Sequence, residues 1–147
     1  MIVEEGPWLG GMLTSAGVSA VDGNYNLRSG IFGEFCDSLA VHYGGWDRLK
    51  TGWVSNIMFE PSVGNRIFNS MTSAENRLDV RYGLGFEKAE KLPRGWKVYF
   101  RNPSDGKCMI VKTKILIDAT ELGDVAAACG AGYRVGMDSR YDTGEEI

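Results

Sequence analysis

At 147 residues the chain is long enough for one compact domain with a real core, and too short for two large ones. Apolar residues make up 44% and charged residues 24%, an ordinary soluble balance. A net charge of −3 argues against nucleic acid, which wants a basic face, and no apolar run approaches the roughly 20 residues that span a bilayer. The N-terminus lacks the basic, apolar and small-residue order of a signal peptide. Cys36, Cys108 and Cys129 form no C-x-x-C and have only His42 to join them, which argues against zinc. They read as small buried thiols in a reducing, cytoplasmic compartment. Twenty scattered glycines, about twice the usual share, suit turns and backbone that lies close to a ligand.

The chain opens inside an α/β pattern. Ile2-Val3-Glu4 reads as a short strand ending on an acid, and Gly6 to Gly11 as a turn with a glycine pair. From Met12 to Arg28 the text is Gly-, Ser- and Asn-rich, with Gly17, Gly23, Asn24 and Asn26 marking turns and Tyr25 among its apolar anchors. A helix is predicted from Ser29 to Tyr43, with Ile31, Phe32, Phe35, Leu39 and His42 or Tyr43 on its apolar face and Gly44-Gly45 ending it. Trp46 to Glu60 is irregular, with Trp46, Trp53 and Phe59 as anchors. A second helix starts at Pro61 or Ser62, buries Val63, Ile67, Phe68 and Met71, and ends near Ala74 to Asn76.

After Asn76 the period changes to that of strands. Leu78–Tyr82, Gly85–Leu92, Trp96–Arg101 and Lys107–Thr113, with turns at Pro93-Arg94-Gly95 and Asn102–Gly106, predict an antiparallel meander. Ile115-Leu116-Ile117 lacks alternation, as in a parallel strand covered on both faces. A helix from Glu121 to Cys129, ended by Gly130, follows it. The tail from Ala131 to Ile147 has little pattern and reads as a poorly packed end. The expected organisation is a single α/β domain: part of a Rossmann-like sheet, a helical insert over about 29–75, a β-meander over about 77–113, and a last parallel strand and helix over about 114–130.

Two stretches carry chemistry. Dinucleotide-binding folds place an acid at a strand end to accept hydrogen bonds from a ribose diol, and Glu4 stands at such a position. Gly10 and Gly11 allow close backbone approach. At Asp118-Ala119-Thr120, a strand end opening a helix presents backbone N–H groups to a ligand. The plainer alternative is that Asp118, Thr120 and Asp124 only cap that helix.

Val3-Glu4-Glu5 followed by Pro7-Trp8-Leu9-Gly10-Gly11-Met12-Leu13-Thr14 resembles a large family of FAD-dependent oxidoreductases with the glutathione-reductase-like fold. Ile117-Asp118-Ala119-Thr120 leading into Gly123-Asp124-Val125-Ala126-Ala127 is similar to the same family's second signature, although Glu121-Leu122 stands where Gly-Asp is commoner. The resemblance covers Ile2 to Ser139. It implies FAD as cofactor, hydride transfer through the flavin, and a small-molecule substrate. It places Glu4 on the adenosine ribose, Gly10, Gly11 and Met12 along the cofactor, and Ala119 and Thr120 beside it. It names no catalytic base.

The G-x-G-x-x-G fingerprint, due some 20 residues before the ribose acid, would fall before Met1, and Gly83-Leu84-Gly85 lacks the third glycine. The expectation is therefore a fragment lacking the phosphate-binding unit, inactive alone, or paired with a chain that supplies that unit. The competing expectation is a non-catalytic remnant or interaction module that binds no FAD. No membrane or nucleic-acid partner is expected. Other residues have both a chemical and a structural reading: His42 as acid–base group or helix end, Trp8, Trp46 and Trp53 as flavin stackers or anchors. Asn65 and Arg66 could meet a substrate anion or form an exposed helix face. Cys36 could be a redox thiol, but no second cysteine lies nearby in sequence.

Overall fold

The computed structural model describes residues 1–21, 26–52 and 55–144. The turn and anchor readings at Gly23, Asn24, Tyr25 and Trp53 lie outside the described residues. The chain divides into two compact units, Met1–Gly85 with Asn102–Gly106, and Phe86–Arg101 with Lys107–Ile147.

In the first unit, β1 (Ile2–Glu4) pairs parallel with β2 (Val80–Tyr82), setting Ile2 against Val80 and Glu4 against Tyr82. The strand expected at Leu78–Tyr82 is therefore present, but it does not open the meander. It belongs beside β1, and a short apolar–polar alternation is the same in either kind of pairing. Between the two strands run α1 (Gly30–Tyr43) and α2 (Pro61–Ser73). Pro61 suits a first turn, where no amide partner is lost. Gly44, at φ 80°, ends α1 in the left-handed conformation, its amide bonded to the Ala40 and Val41 carbonyls.

The core is built by α1 and α2 with the segment between them: Phe35, Cys36, Leu39, Ala40, Leu49, Ile57, Phe59, Val63 and Ile67. The Phe35 ring stacks on Phe68 at 4.4 Å and meets Phe59 edge-on at 5.4 Å. One of the residues expected on the α1 face is placed differently. At about 100° per residue, Cys36, Ala40 and Leu39 share one arc with Phe32 and Tyr43, and Ile31 falls well outside it. Ile31 is 74% exposed. The loop after β1 returns to this core through an antiparallel bridge between Ala20 and Met58.

The second unit is a three-stranded antiparallel meander, β3 (Gly85–Leu92), β4 (Gly95–Arg101) and β5 (Cys108–Thr113). Gly95 makes the first hairpin: at φ 104° a Cβ there would collide with the Thr113 carbonyl oxygen. Trp96, Val98 and Phe100 face Thr113, Val111 and Met109 across the ladder, and Val98 is fully buried.

The expected parallel strand at Ile115–Ile117 does not form. Residues 114–120 run without a ladder partner among the described residues, and Ile115 and Ile117 are 75% and 80% exposed. Apolar continuity supplies a strand's composition, but a parallel strand is stable only between neighbours that cover both faces. The helix that follows is also shorter than expected: α3 is Asp124–Ala128, and Glu121-Leu122 stay outside it. The tail is exposed throughout its described part, with one short turn of helix, α4 (Arg140–Thr143).

Candidate functional site

The predicted site residues fall in the two units, and each group has its own geometry. In the first, Glu4 ends β1 half-buried, and its Oε1 accepts the Gly6 amide at 2.7 Å. A Cβ at position 6 would stand 3.2 Å from that oxygen, a tight approach that glycine avoids. The other carboxylate oxygen accepts nothing among the described residues, so it can take a further donor. Across the parallel pair, Tyr82 has its phenol pKa raised by burial and by the Glu4 charge.

The chain then turns over the start of α2. Gly10 lies at φ 107° and Gly11 at φ 49°, opening a 3₁₀ turn over Gly11–Leu13. A Cβ on Gly10 would sit 2.7 Å from the Phe68 ring and 2.8 Å from the Thr14 methyl, whereas one on Gly11 would meet nothing within 4 Å. The glycine pair thus has one member pressed into the fold and one with an open face. Met12 is 55% exposed beside it.

Side chains from α2 and β2 fix this turn. The Leu9 amide donates to Asn65 Oδ1 at 3.1 Å, and the buried Thr14 hydroxyl donates to the Leu9 carbonyl at 2.6 Å. Asn69 Nδ2 donates to Asn65 Oδ1 at 2.8 Å, and the Tyr82 hydroxyl donates to Asn69 Oδ1 at 2.6 Å. Asn65 is therefore committed to the loop backbone, while Arg66 is exposed. Sequence reasoning missed Thr14, Phe68, Asn69 and Tyr82 as supports. Their only signal was an asparagine pair at i, i+4 on one helix face.

In the second unit, Asp118 organises its own turn. Its Oδ1 accepts the Thr120 amide at 2.8 Å and the Thr120 hydroxyl at 2.7 Å, and its Oδ2 accepts the Ala126 amide at 2.6 Å. Thr120 Oγ1 in turn accepts the Asp124 amide at 2.9 Å. These bonds, the Thr120 hydroxyl foremost, hold the Asp118 carboxyl below its ordinary pKa. Ala119 and Thr120 are exposed. Several of the N–H groups at this helix start are thus already satisfied from within.

His42 is exposed at the last turn of α1, its ring edge-on to Tyr43 at 4.8 Å. Trp8 and Trp46 are half-buried, with the Arg28 guanidinium 3.6 Å over the Trp46 ring. Cys36 is fully buried and burial pushes its thiol pKa up, which disfavours thiolate chemistry. The expectation of three buried thiols fails at Cys108, which is exposed; none of the three is in a disulfide.

A parallel strand pair with an acid at its end, a glycine turn and an antiparallel meander define an α/β protein consistent with part of a Rossmann-like sheet. A family model described as FAD dependent oxidoreductase matches residues 1–147, and the chain belongs to that family. FAD and oxidoreduction are thereby the family's cofactor and chemistry. No curated protein and no solved structure matches the chain. Among the described residues no helix is long and apolar enough to cross a membrane.

Proposed function

We propose that this chain forms the ribose-side part of an FAD site of the glutathione-reductase-like type, serving oxidation or reduction of a small molecule in the cytoplasm. When bound, FAD supplies hydride transfer, and the protein supplies position and electrostatics. The observation that carries the reading is the end of β1. Glu4 offers one uncommitted carboxylate oxygen there, and Gly11 leaves its backbone open a few residues on. In this reading Glu4 accepts from the ribose hydroxyls, Gly10, Gly11 and Met12 lie along the cofactor, and Ala119 and Thr120 pass beside it. The fit is to the ribose end only. These 147 residues hold no G-x-G-x-x-G, so phosphate binding falls to a βα unit that a partner chain can supply.

The second reading is an interaction module that binds no flavin. What favours it is the Asp118 turn, whose amide and hydroxyl donors are satisfied internally.

Titration of the purified chain with FAD and with ADP-ribose, followed by thermal shift and by flavin fluorescence, decides between them. Saturable stabilisation by both ligands is expected, with Glu4→Gln weakening each about tenfold to a hundredfold, the usual worth of a hydrogen bond to a charged group. No stabilisation by either ligand gives the second reading.

A further inference from the structure

Arg28, Trp46 and Lys50 take no part in the site above, yet with Asn26, Asn56 and Ile57 they line a cleft of about 350 Å³. We propose that this cleft binds a small organic anion through a carboxylate or phosphate group. Its volume lies within the range that holds small ligands. Among the described residues its polar lining is two cations and two primary amides, with no carboxylate. In a chain of net charge −3, such a pocket stands out.

The guanidinium is placed for the task. It lies 3.6 Å from the Trp46 ring centroid, and stacking on an aromatic face leaves the N–H fork at its edge available to two oxygens of one anion. Among the described residues no carboxylate pairs with Arg28. The nearest acid to Lys50 is Asp47 at 3.4 Å. That aspartate side chain is 98% exposed, so the contact is weak and an incoming anion displaces it easily.

The backbone supports the same conclusion. Gly33, inside α1, lets the Arg28 main chain close on the helix: a Cβ at 33 would stand 3.1 Å from the Arg28 carbonyl carbon. Arg28 is thereby fixed two residues before the helix start, and the Ser29 side chain caps no amide there. Buried Ile57 and half-buried Trp46 give the body of the ligand an apolar wall.

The meander supplies an internal control, because Lys91 lies over Trp96 at 4.2 Å and Trp96 does not line this cleft. The test follows the Trp46 and Trp96 indole N–H resonances of the full chain by NMR. Inorganic phosphate and acetate are titrated separately, with chloride at matched ionic strength as reference. The expected result is a saturable, millimolar shift of Trp46 with one or both oxyanions while Trp96 stays still. Whichever oxyanion acts identifies the group recognised. Arg28→Gln and Lys50→Gln should each weaken binding about tenfold. Lys50 is an exposed residue, so its variant decides the matter if the Arg28 variant fails to fold. Equal shifts at both tryptophans, no saturable shift with either oxyanion, or unchanged affinity in the folded variants overturns the proposal.

Discussion

Gly10 and Gly11 are neighbours with the same residue type and different reasons for it. Gly10 combines φ 107° with a missing Cβ whose place the Phe68 ring and Thr14 methyl already occupy. Gly11 has the positive φ alone, over open space. Gly10→Ala therefore meets strain and overlap together and should cost about 3 kcal/mol or more, while Gly11→Ala should cost about 1 kcal/mol. Thermal unfolding of the two variants checks this, and equal losses would show that the Phe68 contact is unimportant. The sequence announced a glycine pair, but nothing in its text separated the two roles. The difference arises from a side chain more than fifty positions away.

Among the elements, those whose signals are local were legible and those defined by a partner were not. The hairpins of the meander could be read because turn chemistry is written in the turn itself. Asn102 Oδ1 accepts the Ser104 amide at 2.8 Å, as an Asn-Pro-Ser-Asp-Gly turn requires. The start of α2 was legible for the same reason, through Pro61. The pairing of β2 with β1 was not, because it joins residues nearly eighty positions apart with no turn between them. Ile115–Ile117 shows the converse, a strand-like text with no ladder partner among the described residues. Within the Asp118 turn, the sign of the pH effect is fixed. A carboxyl held below its ordinary pKa contributes stability above the unfolded value, about 4, and loses it as pH falls through the folded value. Protection of the Thr120 and Ala126 amides, taken relative to the intrinsic exchange rate at each pH, should therefore fall on acidification through that range. Asp118→Asn should show fast exchange at Ala126 already at neutral pH, and pH-independent protection there would refute the assignment.

For the molecule as a whole, the net charge of −3 conceals an uneven distribution. Residues 86–114 carry eight Lys or Arg against three Asp or Glu, and the remainder is correspondingly acidic. Large apolar side chains are exposed in the second unit, among them Ile117, Leu122, Val135 and Met137, each at least 80% accessible. Near the sequence pI of about 5.2 the net repulsion vanishes while opposite patches and apolar surface remain. Light scattering across pH should thus show greatest self-association near that value, and Ile117→Lys should lower it there. A flat profile would mean that these side chains do not govern solubility.

The chain of hydrogen bonds from the Tyr82 hydroxyl through Asn69 and Asn65 to the Leu9 amide links elements that the sequence holds far apart. By linkage, whatever orders the loop also stabilises the helix it is tied to, and by the same free energy. Occupancy of the loop is therefore readable at a distance. A molecule that settles on the Gly10–Met12 backbone should slow the opening of α2, and loosening α2 should weaken the hold on that molecule in equal measure.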